Sequence, residues 1–306
     1  MRAAAILGLG TSTRDLQAFQ KNATTEWTLG LPANSQDADA ILIFGGDGTI
    51  HRNLNALVRL GLPVLVVPAG SGNDFARALG LLKTRDSLMA WRAFENGSGR
   101  VQRIDLGCIV ALDSSSQHHF ACVAGVGLDA DIARRANTLP RWLRRTGGYV
   151  WSLPPALFSF HSFQAKIFCA DEPPGSESAC APPQASETRQ DSLRLRSNRP
   201  TFLAAFANAP FYGDGMKIAP NARLDDGLLD VCLIRDVDKF KLFCLFPTVY
   251  FGRHLRVDEV DYFRTTHARI ETETPLDVYA DGEPVCHTPA AFHIAREALQ
   301  VIVKPE

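Results

Sequence analysis

Ile41-Leu-Ile-Phe-Gly45-Gly46-Asp47-Gly48-Thr49-Ile50 joins an apolar run, typical of a buried strand, to a cluster of glycines and then to a helical pattern beginning near Ile50. Three glycines within four residues remove the Cβ atoms that would keep a ligand away from the backbone. Backbone N–H groups at the start of a helix form an anion site that suits a nucleotide phosphate. The alternative is an ordinary strand-to-helix turn in which Asp47 or Thr49 caps the helix.

The polar side chains of this first glycine loop (Gly45–Thr49) have several uses. Asp47 could accept a hydrogen bond from a ribose, hold Mg²⁺ or position the loop, and Thr49 could donate to a phosphate oxygen. A second glycine loop, Pro68-Ala-Gly70-Ser71-Gly72-Asn73-Asp74-Phe75-Ala76-Arg77, follows the apolar run Val64–Val67. We expect the two loops to face each other across a cleft. Neither has the G-x-x-x-x-G-K-[ST] spacing of a P-loop.

The residues around these loops predict the fold class. Apolar runs that end at Gly or Pro alternate with stretches of helical spacing, which is typical of a doubly wound parallel sheet with its ligand at the carboxyl ends of the strands. The strand candidates are Ala3–Leu7, Ala40–Phe44 and Val64–Val67, and the helical stretches are Leu54–Leu60 and Leu81–Phe94.

From Val101 onward the pattern changes to short apolar runs at close spacing, which favours an antiparallel sandwich or barrel. These runs are Cys108–Leu112, Phe120–Ala124, Ala165–Cys169, Phe202–Ala207, Leu228–Ile234, Ala268–Glu271 and Leu276–Tyr279. A helical segment near Ala130–Ala136, extending to Tyr149–Phe158, interrupts them. The Pro- and Ser-rich tract 171–198 is predicted to be a mobile loop between two strands.

Composition excludes several classes of protein. The 306 residues suffice for about two domains. With 32 basic and 33 acidic side chains, the chain is no strongly basic nucleic-acid binder. No apolar run approaches the roughly 20 residues of a membrane-spanning helix, and the short apolar start is predicted to be a strand rather than a signal peptide. Seven cysteines without a C-x-x-C pair argue against a disulfide framework or a zinc site and favour a cytoplasmic protein.

One stretch departs from this neutral average, because no acidic residue lies between Asp131 and Asp171. Its cations and interfacial aromatic residues are Arg134, Arg135, Arg141, Arg144, Arg145 and Lys166, with Trp142, Tyr149 and Trp151 among them. Such a composition favours peripheral contact with the inner face of a membrane through residues 134–151. The alternative is a solvated helix whose aromatic side chains pack on the sheet.

Five stretches together resemble the diacylglycerol kinase catalytic-domain family, which includes bacterial soluble lipid kinases and the sphingosine and ceramide kinases. They are Gly45–Thr49, Pro68–Arg77, Gly125-Val-Gly-Leu-Asp-Ala130, Lys217-Ile-Ala-Pro-Asn-Ala-Arg-Leu-Asp-Asp-Gly-Leu-Leu-Asp230 and Asp281-Gly-Glu-Pro284. Their order and spacing match from about Ile41 to the C-terminus. The first stretch alone is shared with NAD kinases, whereas the combination is far more specific.

The resemblance implies a nucleotide-binding α/β domain followed by a larger β-sandwich domain, with the active cleft between them. We expect an ATP-binding domain at residues 1–101, which segment 291–306 could complete, and a lipid-binding domain at residues 102–290. The implied reaction transfers the γ-phosphate of ATP to a lipid hydroxyl, most simply from diacylglycerol to phosphatidic acid in phospholipid biosynthesis.

The resemblance also assigns site residues. It places the ATP loop on Gly46–Arg52, with Ser71 as a further phosphate contact. Together with the other loop residues, the set expected to bind ATP is Gly45, Gly46, Asp47, Gly48, Thr49, Ile50, His51, Arg52, Gly70, Ser71, Asn73 and Asp74. Glu283 matches the family's proton acceptor, and Asp281 is expected to assist it or to bind metal. A Mg²⁺ ion would take a carboxylate from Asp226 and backbone carbonyls from Arg223 and Leu228, while a catalytic Mg²⁺ would arrive with ATP and contact Asp47 or Asp74.

One departure keeps other functions open. Most bacterial members have Asn-Glu where this chain has His51-Arg52, so a cation replaces a carboxylate at the edge of the phosphate site. The alternatives are an NAD kinase-like enzyme and a nucleotide- or lipid-binding protein with weakened catalysis. Diacylglycerol, phosphatidylglycerol, a sphingoid base and an isoprenoid alcohol are all compatible substrates, and the sequence carries no signal of oligomeric state.

Overall fold

The structure is a computed structural model that describes residues 1–21, 25–140, 148–170 and 193–305, with the backbone alone at 148–150. Its strands are β1 Arg2–Leu7, β2 Glu26–Leu29, β3 Ala40–Gly45, β4 Val64–Pro68, β5 Arg100–Ala111, β6 Gln117–Phe120, β7 Val123–Gly127, β8 Phe163–Cys169, β9 Arg194–Ala207, β10 Leu229–Arg235, β11 Val260–Thr265, β12 His267–Thr272, β13 Asp277–Ala280, β14 Glu283–His287 and β15 Ala290–Val303. Its helices are α1 Thr13–Leu16, α2 Asp47–Leu60, α3 Asp74–Ala78, α4 Thr84–Glu95, α5 Leu128–Thr138, α6 Gly148–Ser159 and α7 Lys239–Val249, with 3₁₀ turns at Ser35–Asp37 and Arg253–Arg256.

The first four strands form the parallel part of the sheet. β1 pairs with β2 and β3, and β3 pairs with β4, all in parallel register. Every residue of β3 is buried, because parallel strands are covered on both faces. Both glycine loops therefore follow the carboxyl ends of adjacent strands, where the sequence predicted a ligand site.

The remaining strands are largely antiparallel. β9 pairs with β7, β8 and β10, while β13 pairs with β7 and β14. The long strand β15 pairs antiparallel with β5 and β12, and its Val301 pairs in parallel with Val64 of β4. The predicted α/β part followed by a sandwich-like β part is confirmed, whereas the domain boundary at residue 101, which falls in β5, stays a prediction.

Two apolar cores support the two parts. One collects the side chains around β1, β3 and β4, including the fully buried Trp91 of α4. The other lies among the antiparallel strands, where the rings of Phe206 and Phe292 stack with centroids 3.9 Å apart. Both rings are buried, so each contributes to the free energy gained by apolar burial.

Three predicted boundaries were wrong. The loop expected over 171–198 ends earlier, because β9 begins at Arg194; residues 171–192 lie outside the described part of the chain. Helix α2 begins at Asp47 rather than near Ile50, with Gly46 as its N-cap. The run Phe120–Ala124 is divided between β6 and β7, because the N–H groups of Ala121 and Cys122 donate to the Asp281 carboxylate instead of a neighbouring strand.

Among the described residues, no helix combines the length and the apolar character that crossing a bilayer requires. The cysteines among them are Cys108, Cys122, Cys169, Cys232, Cys244 and Cys286, and each carries a free thiol.

Candidate active site

The two glycine loops pack directly against each other. A Cβ built on Gly46 would lie 2.9 Å from the Cα of Gly70, and one built on Gly70 would lie 2.6 Å from the Cα of Gly46. Only glycine permits this approach, since real Cβ atoms do not come so close to a backbone atom. The expectation that the loops face each other across a cleft was wrong, because β3 and β4 are hydrogen-bonded neighbours that bring the loops together as one platform.

Asp47 fastens this platform. Its Oδ2 accepts from the N–H of Asp74 and its Oδ1 from the N–H of Phe75, both at 3.0 Å, so it caps the start of α3 from the first loop. Burial raises the pKa of Asp47, and the charges of Asp281 and Asp214 act in the same direction. Of the three uses that the sequence left open, the observed contacts are those of a residue that positions the loops.

Polar side chains of the second loop also bind its own backbone. Asn73 has a left-handed φ of 53°, and its amide accepts from the N–H of Gly70 and donates to the carbonyl of Gly70, both at 2.8 Å. Ser71 is exposed, so its hydroxyl is accessible to a ligand. Hydrogen bonds within the loop therefore hold its shape without a ligand.

Asp74 and Asp214 complete an acidic cluster beside Gly72. Asp74 accepts from the Arg77 guanidinium at 2.6 Å and from the N–H of Asp214 at 3.0 Å. Burial, with the neighbouring charge of Asp47, raises the pKa of Asp74 to about 7. A Cβ on Gly72 would lie 2.8 Å from Asp214 Oδ1 and 3.2 Å from Asp47 Oδ2. Asp214 was not among the site residues predicted from sequence, although an Asp between Gly213 and Gly215 was a local signal for a special turn.

Two predicted ATP contacts point away from solvent. Thr49 is 8% exposed, and a Cβ on Gly8 would lie 2.4 Å from its Oγ1, so its side chain supports the loop from below. Ile50 is 2% exposed and belongs to the apolar core. Ile50 can therefore offer a nucleotide only its backbone.

Asp281 is held by backbone N–H groups on the opposite side of the site. It has a left-handed φ of 51°, and its carboxylate accepts from the N–H groups of Ala121 and Cys122 at 2.8 Å and of Val123 at 3.3 Å. His51 Nδ1 lies 3.3 Å from its Oδ2. Burial disfavours the charged imidazole, but the hydrogen bond to Asp281 and the nearby carboxylates outweigh that influence and raise the pKa of His51.

Glu283 lies directly over the first glycine loop. A Cβ on Gly48 would lie 3.0 Å from Glu283 Oε1, and the same oxygen is 3.3 Å from the guanidinium of Arg52. Asn137 of α5 donates to the carbonyl of Gly282, which fixes the turn that carries Glu283. The structure thus brings together Gly48, Arg52 and Glu283, whose motifs are more than two hundred residues apart in the sequence.

The candidate metal loop lies next to β15, where a Cβ on Gly227 would lie 2.9 Å from Arg296 Nε. Asp226 Oδ1 accepts from the N–H of Leu228 at 3.1 Å, while its buried Oδ2 accepts no hydrogen bond from the described residues. Burial raises the pKa of Asp226. Asp105, which was not predicted from sequence, accepts from the N–H groups of Gly227 and Glu297, both at 2.7 Å, and ties the loop to β15.

The donor set of this loop fits a hard cation, because it offers a carboxylate oxygen together with backbone carbonyls. Arg223 directs its side chain to Asp225 at 3.1 Å, so a carbonyl is what it can offer to an ion. Within the described ranges, no group of three His, Cys, Asp or Glu side chains could hold a metal ion. A site here would therefore rely on backbone oxygens.

The basic stretch predicted for membrane contact is only partly described. Arg134 and Arg135 share the single carboxylate of Asp131, which compensates one of their two charges. Arg141, Trp142, Arg144, Arg145 and the side chain of Tyr149 lie outside the described residues.

Comparisons with known proteins find similarity to lipid kinases along most of the chain. The diacylglycerol kinase catalytic domain model matches residues 12–109, and the YegS C-terminal NAD kinase beta sandwich-like domain model matches residues 122–303. A curated diacylglycerol kinase of Mycobacterium tuberculosis is 32% identical over 272 residues, which cover 88% of this chain and 78% of that protein.

Solved structures share the fold. A crystal structure of a diacylglycerol kinase from Bacillus anthracis matches with a TM-score of 0.66 at 17% identity, over 99% of this chain and 97% of that one. An NAD kinase from Archaeoglobus fulgidus in complex with ATP matches with a TM-score of 0.52 at 14% identity, over 100% and 94%. At these identities the likeness concerns the fold alone.

Proposed function

The chain belongs to the diacylglycerol kinase catalytic-domain family of lipid kinases, and from that premise we propose that it transfers the γ-phosphate of ATP to diacylglycerol, forming phosphatidic acid. The contact between Glu283 and the first glycine loop carries this proposal. A carboxylate beside a phosphate-binding loop is the arrangement that transfer to a hydroxyl needs.

The phosphates of ATP would lie on the platform of the two glycine loops. Backbone N–H groups at the start of α2, whose dipole is positive there, would face them. Ser71 and Arg52, both exposed at the rim, would add a hydroxyl and a cation. Asp47 and Asn73 would keep the backbone in place, because their side chains already bind the loops.

Glu283 would act on the acceptor. The lipid hydroxyl oxygen forms a bond to the γ-phosphorus while the bond from that phosphorus to the bridging oxygen of ADP breaks. The hydroxyl proton moves to the Glu283 carboxylate late in the step, so an ordinary carboxylate is basic enough. Asp281, saturated by backbone N–H groups, would position the turn rather than take the proton.

Mg²⁺ has two proposed places. The carboxylates of Asp47, Asp74 and Asp214 would repel a triphosphate, and a Mg²⁺ ion carried in with ATP would neutralise the phosphates beside them. Asp47 and Asp74 would be its nearest side chains. A second ion would bind Asp226 and the carbonyls of Arg223 and Leu228, where it would hold the loop that Asp105 anchors.

The cellular setting is part of the same proposal. A soluble ATP-binding part at residues 1–101, with the lipid-binding part at 102–290, would work in the cytoplasm on phospholipid biosynthesis. Peripheral contact with the inner face of the membrane would bring the cleft to its substrate.

An NAD kinase-like activity is the second candidate, favoured by the shared fold with an ATP-bound NAD kinase. The test is to incubate purified protein with radiolabelled ATP, magnesium chloride and either NAD or one of several lipids in mixed micelles. The lipids are diacylglycerol, phosphatidylglycerol, a sphingoid base and an isoprenoid alcohol.

We expect labelled phosphatidic acid from diacylglycerol. If another lipid is labelled instead, that lipid is the substrate and the proposed reaction, phosphate transfer to a lipid hydroxyl, still holds. NADP without any labelled lipid would overturn the proposal in favour of the second candidate. ATP binding without transfer to any acceptor would leave a nucleotide-binding protein with weakened catalysis.

A further inference from the structure

The exposed aromatic side chains of the molecule are concentrated on α6, α7 and the turn after α7. Trp151, Phe158, Phe240, Phe243 and Phe251 are 59%, 58%, 71%, 42% and 73% exposed, and every exposed Trp or Phe among the described residues is one of these five. We call this set the aromatic ridge. The two helices are neighbours, with ring centroids of Phe158 and Phe243 6.3 Å apart.

The aromatic ridge lies on the exposed face of each helix, opposite the apolar face that packs against the protein. α6 buries Leu153, Ala156 and Leu157 against the protein, and α7 buries Leu242 and Val249. Both helices are therefore already anchored by one apolar face, while their opposite sides remain apolar and exposed. Clustered apolar surface of this kind marks an interaction site, whereas single exposed apolar residues do not.

The charges around the ridge suit an anionic partner. Residues 239–257, which span α7 and the turn beyond it, contain no Asp or Glu and carry Lys239, Lys241, Arg253 and Arg256. Glu259 pairs with Lys241 at 2.6 Å and compensates its charge, and Asp238 caps the start of α7. The cations that remain for a partner are therefore Lys239, Arg253 and Arg256. Residues 148–170, which include α6, are also free of acidic residues. Aromatic side chains flanked by cations are typical of surfaces that lie on bilayers with anionic lipid.

The ridge is joined to the phosphate side of the active site. At the end of α7 the carbonyl of Val249 accepts from the N–H of Lys217 at 3.1 Å. Lys217 lies three residues after Asp214, and the N–H of Asp214 donates to the Asp74 carboxylate. Burial raises the pKa of Tyr250, and the charges of Asp214 and Asp74 contribute, as expected of a residue near that cluster.

The ridge is also joined to the acceptor side. α6 packs on α5, since Arg135 of α5 donates to the Ser159 hydroxyl at 2.8 Å. Asn137 of the same helix donates to the carbonyl of Gly282, next to Glu283. Hydrogen bonds therefore link the ridge helices to the phosphate side and to the acceptor side of the site.

We propose that the aromatic ridge docks this protein on a bilayer that contains anionic lipid. The inference rests on the proposed function in that a lipid kinase must meet a substrate whose chains stay in the bilayer. It moves the expected membrane contact from residues 134–151, of which only Trp151 belongs to the ridge, to α6, α7 and Phe251.

The test measures binding to vesicles without any substrate lipid or ATP. Native protein is sedimented with vesicles of phosphatidylcholine alone, or of phosphatidylcholine mixed with phosphatidylglycerol. The variants are Phe240→Ser and Phe240→Ser combined with Phe251→Ser, and Leu29→Ser and Leu82→Ser are the matched controls. Leu29 and Leu82 are 61% and 63% exposed but lie in the N-terminal part.

We expect native protein and both controls to bind the mixed vesicles more tightly than pure phosphatidylcholine. The partition constant should fall about tenfold for the single variant and further for the double variant, because each Phe→Ser substitution removes a phenyl group that the bilayer would bury. Equal binding of native and double-variant protein would overturn the proposal. So would a native dimer that the double variant dissociates on size exclusion, since a second copy would then cover the ridge.

Kinase assays separate this inference from the proposed function. With a short-chain, water-soluble diacylglycerol, the double variant should turn over like native protein, and with diacylglycerol in vesicles it should be slower. If native protein phosphorylates no lipid but the double variant loses vesicle binding, the docking inference stands and the proposed kinase activity is refuted. If native protein phosphorylates lipids but the double variant binds vesicles as well as native protein, the kinase activity stands and the docking inference is refuted.

Discussion

The active site has two walls, a phosphate wall formed by the two glycine loops and an acceptor wall formed by the turn that carries Asp281 and Glu283. One wall presents mainly backbone and the other a side chain. The phosphate wall offers backbone, and its polar side chains, Asp47 and Asn73, turn inward to hold the loops. The acceptor wall offers a carboxylate, Glu283, that is 36% exposed and paired only loosely with Arg52. The phosphate wall is thus preformed, whereas the acceptor wall keeps its reacting group free to move. Substitutions on the two walls should therefore alter different kinetic constants.

The sharpest test of this difference is Glu283→Gln. Removing the proton acceptor should lower kcat about a thousandfold, while the KM for ATP stays near its native value because the platform is untouched. Steady-state kinetics and ATP titration calorimetry measure the two quantities. Glu273→Gln, an exposed acid before the same hairpin, is the control and should behave as native. Near-native turnover of Glu283→Gln would remove Glu283 as the base.

Asp281→Asn tests the fixed half of the acceptor wall. The neutral amide would weaken the hydrogen bonds from the N–H groups of residues 121–123 and would leave at least one of them without an acceptor. We expect the free energy of unfolding to fall by about 2 to 3 kcal/mol, measured by urea denaturation. Asp277→Asn, which loses only a half-exposed pair with His287, should change it little. Equal effects of the two substitutions would refute the positioning role of Asp281.

The phosphate wall could be predicted from sequence because its structure is local. An apolar strand, glycines and a helical pattern lie within about fifteen residues of one another, and they predict a strand, a turn and a helix without knowledge of the rest of the chain. The acceptor wall was identified only through the family resemblance. An Asp-Gly-Glu turn is common, and the partners of Asp281 lie about 160 residues away.

Helix α7 shows the same limit in the second half of the chain. Its sequence, Lys-Phe-Lys-Leu-Phe-Cys-Leu-Phe-Pro-Thr-Val, is apolar on several sides and contains Pro247, so it lacks the periodicity that predicts a helix. The α7 part of the aromatic ridge was therefore not predicted from the sequence, whereas Trp151 of α6 was. Asp214 was missed for a related reason, because its neighbours Asp47 and Asp74 come from distant loops.

Gly70→Ala tests whether the phosphate wall depends on backbone contact. The added methyl group would collide with Gly46, so the two loops would have to separate. We expect the KM for ATP to rise about tenfold, in line with the 1 to 3 kcal/mol that overpacking costs, with a smaller change in kcat. Kinetics with varied ATP measures both. A fall in kcat with an unchanged KM would contradict the division between the walls.

Arg52→Gln tests the residue that touches both walls. The Arg52–Glu283 pair is largely exposed, so its loss should alter the free energy of unfolding by less than about 1 kcal/mol. Loss of the cation near the phosphates should raise the KM for ATP about two- to fivefold, as expected for losing one exposed ionic contact. Arg59→Gln, on the last turn of the same helix, is the control. A kcat that falls as far as in Glu283→Gln would instead give Arg52 a part in proton transfer.

The smallest effect is expected at His51, which joins the walls through Asp281. Because the folded-state pKa of His51 is raised, its protonated form adds stability that is complete below the unfolded value of 6.5 and is lost as the pH rises through the raised value. Native protein should therefore lose more stability than His51→Gln between about pH 6 and about pH 8.5, since only the imidazole titrates. Urea denaturation of both proteins at the two pH values measures the difference. An identical loss in both would mean that the protonated imidazole and Asp281 do not stabilise the junction, and that the walls are held together by Asp281 and its backbone partners alone.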